Sequence, residues 1–362
     1  MSDQVFMERA LQLARRGWGN VSPNPAVGAV LVREAEVVGE GFYQYQRVKH
    51  AEVLACECAG DKAAGATLYL NLEPCAHQGR TGPCCDYLIR CRVGRVVAAM
   101  SDPNPRVAGR GFQRLRDAGM RVDVGLMERE ASVLNEAFAK FVTTGVPFVT
   151  IKTAMSLDGK ISNARSGQRE YFSCPESEAR TESLRLQADA IAVGAGTVLA
   201  DDPLLTYRGP GQRRRPLVRV LLDPHGRVGL TRRLFQDPSP VWWVRPAGLP
   251  VVPGHVSAIP SEVDRGAAWR NVLKKMSEEG MYHLLIEGGG ETNAGALEAG
   301  IVDKVLFIYA PRLVGGKEST GAVGGAGFHP AIRLRDTTVT QAGSDFWIEG
   351  YVNGECGMAN FE

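Results

Sequence analysis

Apolar positions three and four residues apart open the chain. Phe6, Ala10, Leu13 and Ala14 share one face of a helix that Ser2 or Asp3 can cap and Gly17 ends. The pattern then shortens. Residues 26–32 (AVGAVLV) and 37–43 (VVGEGFY) predict two strands with a turn at Glu34 to Glu36. Residues 50–60 read as a helix, 66–72 as a strand, 85–91 as a short helix and 95–100 as a strand, and a further apolar helix is expected from Glu130 to Phe141. This alternation favours a sheet with helices packed on its faces. Thr143, Thr144, Gly145 and Pro147 then break the pattern, and FVTIKTA restarts it as a strand. Two α/β domains are therefore expected, over 1–145 and 146–362. In the second, helices are expected at 175–188, 267–279 and 292–299, and strands at 190–193, 218–223, 241–244, 283–287, 304–309 and 347–352. No repeat links the halves.

The length of 362 residues agrees with two cores rather than one. A formal net charge of +2 gives no reason to expect nucleic acid or an acidic membrane as partner, and the basic run at 213–216 (RRRP) reads as a solvated loop. Asp3, Glu8 and Arg9 interrupt the N-terminal apolar residues, so no signal-peptide core is expected, and no run has the length of a membrane span. The reading is a cytoplasmic protein. Six of the eight cysteines fall between Cys56 and Cys91, which points to local chemistry rather than a disulfide scaffold.

That chemistry centres on EPCAHQGRTGPCC, residues 73–85. Zinc prefers thiolate and imidazole, and a catalytic site takes three protein ligands with a fourth position open. His50, Cys75 and Cys84 supply such a set, with the cysteines placed where helix N-termini favour thiolate. Glu52, two residues after His50, is the proton carrier such a site needs. The order H-x-E followed by P-C and a second cysteine is that of zinc deaminases, except that eight residues rather than two separate Cys75 from Cys84. Cys56, Cys58, Cys85 and Cys91 read as core thiols. A structural zinc site would need His77 or Cys85 as fourth ligand. A nucleic-acid deaminase would want a basic, aromatic face that the first domain lacks. A zinc-stabilised binding module would have no use for Glu52.

Three later segments have glycines close to predicted strands: 152–162, 192–208 and 286–295. Such turns let backbone N–H groups approach phosphate oxygens, although none matches G-x-G-x-x-G.

SPNPAVGAVLV, HAE, LEPCAHQGRTGPC, SDPNPRVAGRG and SLDGKI, in this order, resemble the bacterial bifunctional riboflavin-biosynthesis deaminase–reductases over nearly the whole chain. The long loop between the cysteines is that family's own pattern. The resemblance implies an N-terminal cytidine-deaminase-like three-layer α/β/α domain and a C-terminal dihydrofolate-reductase-like α/β domain. It implies one zinc ion, NADPH, a phosphoribosylaminopyrimidine substrate and a homo-oligomer, either dimer or tetramer. Asn24 and His77 would touch the pyrimidine. Ala154, Tyr171, Thr197, Asp201 and the run Gly289, Gly290, Glu291, Thr292, Asn293, Ala294 and Gly295 would contact NADPH. Arg169, Arg185, Leu205, Arg208 and Glu287 would contact the sugar-phosphate substrate, with Arg185 and Arg208 as bidentate phosphate holders. RSGQREY at 165–171 departs from the family's usual Ser-Gln-Trp. Lys152 and Asp201 are candidates for the proton transfer in reduction, or for structural ion pairs.

Overall fold

A computed structural model of the chain describes residues 2–105, 107–162, 171–249, 253–261 and 265–352. Two compact units result, Met1–Gly145 and Val146–Glu362.

The first unit runs α1 (Asp3–Arg15), β1 (Gly28–Arg33), β2 (Glu36–Phe42), α2 (Ala51–Ala59), β3 (Thr67–Leu70), α3 (Cys84–Arg90), β4 (Arg95–Ala98), α4 (Arg110–Asp117), β5 (Arg121–Val124), α5 (Glu128–Leu134) and α6 (Glu136–Thr144). Among the described residues its strands lie in the order β2-β1-β3-β4-β5. β1 is antiparallel to β2 and β3, and β3, β4 and β5 run parallel. Alternate strand residues point to opposite faces. Ala29, Leu31, Leu68, Leu70 and Val96 pack against Ala51, Ala55, Leu88 and Leu115 of α2, α3 and α4. Val30, Val32, Tyr69 and Val97 pack against Phe6, Met7 and Ala10 of α1 and Ala131 of α5. The result is three layers, helices over sheet over helices.

Two departures from the sequence pattern have a physical cause. The helix expected from Glu130 to Phe141 is two helices, broken at Asn135 (φ −115°, ψ 18°). Asn135 is buried, and its amide both accepts from Ala26 N–H at 2.8 Å and donates to the Ala26 carbonyl at 3.0 Å. Satisfying those buried backbone groups outweighs helical continuity. Cys58 is exposed rather than in the core, because α2 buries Glu52, Ala55, Cys56 and Ala59 on its inner face.

α2 lies close to the sheet because β2 offers it two glycines. A Cβ on Gly39 would come within 2.1 Å of the Ala55 carbonyl oxygen, and one on Gly41 within 2.3 Å of the Ala51 oxygen. The height of α2 above the sheet, and with it the position of its first turn, follows from those missing methyl groups.

The second unit runs β6 (Phe148–Ser156), α7 (Pro175–Gln187), β7 (Ala190–Gly194), α8 (Ala195–Asp201), β8 (Val218–Leu222), α9 (Arg233–Gln236), β9 (Val241–Arg245), β10 (Val256–Pro260), α10 (Arg265–Glu278), β11 (His283–Ile286), α11 (Gly290–Glu298), β12 (Lys304–Ala310), β13 (Leu334–Ala342) and β14 (Asp345–Val352). Its described strands form one sheet in the order β10-β9-β8-β7-β11-β6-β12-β14-β13, parallel as far as β12 and antiparallel beyond. Ile151, Ala192, Val220 and Ile286 face Trp269, Val272 and Met276 of α10 and Ala296 of α11. Ile191, Val193, Leu221 and Leu285 face Val198 of α8 and Leu234 and Phe235 of α9.

The basic run at 213–216 is not simply solvated. Arg213 donates to the carbonyls of Arg185, Leu186 and Ala188, and Arg215 to that of Glu279 at 3.2 Å. The last carbonyls of α7 have no partner within the helix, and a guanidinium there satisfies several at once while opposing the negative end of the dipole. No described helix is long and apolar enough to cross a membrane.

Gly41→Ala is expected to destabilise the first unit by about 2–3 kcal/mol, through overpacking against α2. Chemical denaturation of the full chain checks this, and an unchanged first transition would refute the role given to that contact.

Candidate functional site

His50 is the N-cap of α2, with an extended backbone (φ −74°, ψ 161°) and no side-chain capping bond to the helix. Cys84 opens α3 behind Pro83. Cys75 follows β3 by way of Glu73 and Pro74. His50 Nδ1 lies 3.0 Å from Cys84 Sγ and 3.6 Å from Cys75 Sγ. Among the described residues these three form the group able to hold a metal, their donor atoms all within 4.8 Å of one another. The loop between the cysteines closes through Cys85 N–H donating to the Cys75 carbonyl at 3.2 Å, so its eight-residue length does not separate the ligands.

The electrostatics suit thiolate. Cys84 N–H, at the start of α3, donates to Cys75 Sγ at 3.4 Å. A hydrogen bond from Cys84 pulls the Cys75 thiol down to about 4, and the same bond, with burial, pushes Cys84 up. A divalent cation held by both sulfurs would take them as thiolates. One imidazole nitrogen and two sulfurs make a three-ligand set suited to zinc. Glu52, in the first turn of α2, is 3% exposed, and its Oε2 is buried without a hydrogen-bond partner. Burial pushes its carboxyl up. A buried carboxylate oxygen beside an N, S, S donor set fits a metal with a water on its open position.

Around this centre, Asn24 Nδ2 donates to Tyr43 Oη at 2.7 Å, and the Tyr43 ring stands edge-on to His50 at 5.5 Å. His77 is exposed. Arg80 lies over the Tyr45 ring at 4.3 Å and donates to the Tyr45 carbonyl. Cys85 Sγ donates to the carbonyls of Pro74 and Gly111, and burial pushes its thiol up to about 12, so it belongs to the core. All seven described cysteines are free.

The motif reading missed three supporting side chains. Asn71 spans Gly28 N–H and the Ala26 carbonyl, fixing the chain just after Asn24. Glu73 accepts from the N–H groups of Asp102, Gly109 and Gly111 at 3.1, 2.9 and 2.8 Å, tying the SDPNPRVAGRG loop to the turn that carries Cys75. Asp102, on that loop, is pushed by burial up to about 6. A polar residue in the middle of an apolar strand end, as in LNLEP, was the available signal.

In the second unit a row of buried charges runs from β6 to α7. Lys152 Nζ is 3.7 Å from Glu287 Oε2. Arg185 Nε and Nη2 donate to the two oxygens of Glu287 at 2.8 and 2.9 Å. Burial pushes the Glu287 carboxyl up, but the two cations together bring it down to about 2. Burial pulls Lys152 down, partly opposed by Glu287. Lys152 thus pairs with Glu287, and the fork of Arg185 is spent on that carboxylate rather than presented as a bidentate phosphate holder. Arg208 is exposed. Leu205 has its side chain in the core with its backbone at positive φ (56°).

The glycine-rich turns divide in two. Cβ atoms on Gly194 and Gly288 would strike Thr292, and one on Gly290 would strike the Gly321 carbonyl, so these glycines serve packing. A Cβ on Gly196 meets nothing within 4 Å, so this glycine borders open space, whereas one on Gly289 would touch Thr197 Oγ1 at 3.5 Å, an ordinary contact. Glu291, at the start of α11, is exposed and Thr292 half-buried, whereas Asn293, Ala294 and Gly295 are buried. Asn293 donates to Thr153 Oγ1 and to the Ala322 carbonyl. Ala154 and Asp201 are half-buried on β6 and α8, and the Tyr171 ring is exposed. Arg169 lies outside the described residues.

Comparison with known proteins gives two family matches. Residues 1–100 match the cytidine and deoxycytidylate deaminase zinc-binding region, and residues 147–348 match the RibD C-terminal domain. The riboflavin biosynthesis protein RibD of Escherichia coli is 39% identical over 336 residues, with 87% of this chain and 89% of that protein covered. RibD of Aquifex aeolicus is 38% identical, with 96% and 97% covered. Among solved structures, Acinetobacter baumannii RibD superposes with a TM-score of 0.81 at 33% identity, covering 97% of this chain and 99% of that one. The diaminohydroxyphosphoribosylaminopyrimidine deaminase/5-amino-6-(5-phosphoribosylamino)uracil reductase of Thermotoga maritima superposes with a TM-score of 0.83 at 33% identity and the same coverage.

Cys84→Ser replaces a ligand thiolate by a hydroxyl and is expected to lower zinc affinity by at least ~100-fold, while Cys58→Ser at an exposed position leaves it unchanged. Competition against a chelator reads both, and equal retention in the two variants would exclude Cys84 as a ligand.

Proposed function

The chain belongs to the RibD family of riboflavin-biosynthesis proteins, bifunctional enzymes that join a zinc deaminase to a reductase, and on that premise we propose which of its residues carry each step. The substrates in the name of the Thermotoga maritima relative are taken as its own. A 2,5-diamino-6-(phosphoribosylamino)pyrimidinone loses its ring amine as ammonia to give the aminouracil. The ribosyl group of that product is then reduced to ribityl.

For deamination, His50, Cys75 and Cys84 hold zinc. When bound, zinc supplies acidity, lowering the pKa of a coordinated water to about 7. Glu52 takes up the proton released there and passes it to a ring nitrogen, then carries the proton of the added hydroxyl to the amine, which leaves as ammonia. Its buried, partnerless Oε2 is the observation that carries this reading. Asn24, oriented by Tyr43, and His77 recognise the pyrimidine edge, since an amide both donates and accepts.

For reduction, NADPH supplies the hydride to C1′ of the opened sugar. Gly196, Thr197, Gly289, Glu291 and Thr292 border its site, with Ala154, Tyr171 and Asp201 beside them, and the open space at Gly196, with the close approach of Gly289 to Thr197, supports this. Arg208 holds the substrate phosphate, and Lys152 supplies the proton that accompanies hydride transfer. Burial, together with Glu287 at 3.7 Å, supports that role over Asp201. The reading is completed by a cytoplasmic homo-oligomer, dimer or tetramer, without a nucleic-acid partner, for which the net charge of +2 gives support.

Glu52→Gln is expected to retain zinc and to lose ammonia release by at least ~100-fold, leaving reduction of supplied aminouracil intact. Unchanged ammonia release removes Glu52 from the mechanism. Lys152→Met is expected to cost reduction about 100-fold with NADPH affinity kept within about threefold. A proton donor must be protonated, so the wild-type rate holds below the lowered Lys152 pKa and falls as pH rises through it, and that alkaline limb is expected to vanish in the variant. A near wild-type rate in Lys152→Met would exclude it as the donor.

A further inference from the structure

Glu182 lies one helical turn before Arg185 on α7, with a side chain 18% exposed. Its Oε1 accepts from Arg185 Nη1 at 2.9 Å. Its Oε2 accepts from the backbone N–H of Arg208 at 2.8 Å, across 26 residues of chain. Arg208 Nη2 stands 3.6 Å from Oε1. A helical i, i+3 ion pair accounts for the first contact but has no need of the second.

The segment that reaches Arg208 is held unusually firmly. Asp202 and Leu205 both adopt positive φ, 43° and 56°, a conformation costly to residues with a Cβ. Asp202 Oδ1 accepts from Arg233 N–H at 2.9 Å, the buried Arg219 donates to the Leu204 carbonyl at 3.4 Å, and Arg185 donates to the Thr206 carbonyl at 3.5 Å. The Glu182 bond to Arg208 is the last of these ties and sets where that residue leaves the loop. The two arginines that face Glu182 are then unequal. Arg185 has Nε and Nη2 on Glu287 and Nη1 on Glu182, and its side chain is 12% exposed. The Arg208 side chain is 67% exposed. Lys152, Arg185 and Arg208 carry three positive charges against the two negative charges of Glu182 and Glu287, leaving one cation to be matched by an anion.

We propose that Glu182 is a positioning residue for the phosphate end of the reductase substrate. Its carboxylate fixes the backbone of Arg208 and neutralises the ground between two arginines, so that Arg208 presents its guanidinium to a phosphomonoester. The inference rests on the proposal that Arg208 holds that phosphate.

The test compares Glu182→Ala, Glu182→Gln and Arg208→Ala in the full chain, each assayed for reduction of the phosphorylated aminouracil, of its dephosphorylated ribosylamino counterpart, and for competitive inhibition by inorganic phosphate. Glu182→Ala is expected to raise KM for the phosphorylated substrate about tenfold with kcat changed less than about twofold, and to weaken phosphate inhibition in parallel. KM for the dephosphorylated substrate stays within about twofold. Glu182→Gln, which keeps one acceptor oxygen for Arg208 N–H but loses the charge, shows an intermediate rise, and it carries the test should the alanine variant fold poorly. The double variant Glu182→Ala/Arg208→Ala is expected to be no worse than Arg208→Ala alone. An equal rise of KM for both substrates would reduce Glu182 to a structural role and overturn the proposal, as would no rise for either. If Arg208→Ala itself fails to discriminate the two substrates, the assignment of Arg208 to the phosphate falls, and this inference with it. If Arg208→Ala discriminates and the Glu182 variants do not, this inference alone falls.

Discussion

One nitrogen and two sulfurs, drawn from positions 50, 75 and 84, must come within reach of a single cation, and the first unit is arranged around that demand. His50 and Cys84 each stand at the start of a helix, and both helices pack on the same sheet face. The Cys75–Cys85 backbone bond brings the ends of the long loop together. Gly39 and Gly41 set how closely α2 lies on the sheet, and therefore where Glu52 sits relative to the ligands. A carboxylate buried with one oxygen, Oε2, lacking a hydrogen-bond partner is unfavourable by itself. It becomes useful only beside a group that gives up a proton, and the hydrolytic half of the enzyme turns on that pairing.

The second unit meets a different constraint: charges buried between strands and α7 must neutralise one another and still leave something for an anion. Glu287 is enclosed by Lys152 and Arg185, which keeps its carboxylate ionised although little of it reaches solvent. Burial acts on Lys152 in the opposite sense, making its proton easier to lose. Saturating Arg185 with carboxylates makes it a fixed part of the wall, and Arg208 is the cation that remains presented.

Much of this was legible along the chain. The strand and helix alternation, the H-x-E and P-C elements and the glycine-rich turns are short-range patterns, and short-range chemistry decides them. The failures share a cause. Asn135 looks like an ordinary helix residue until Ala26, 109 positions away, claims its amide. Arg213 looks solvated until the end of α7 supplies carbonyls for it. Strands β5, β10 and β13 were not anticipated. β13 is exposed along most of its length at the edge of its sheet, where little apolar patterning is required.

The chain by itself determined residue types and local period: which side chains can ligate zinc, where helices begin, and which turns lack a Cβ. Tertiary structure alone decided which groups are spent and which remain available. It turned Gly194, Gly288 and Gly290 to packing while leaving Gly196 beside open space, and it committed Arg185 to Glu287 while leaving Arg208 exposed. The reason is that burial and pairing depend on neighbours distant in sequence, and a charge or a hydrogen-bonding group has no fixed role until those neighbours arrive.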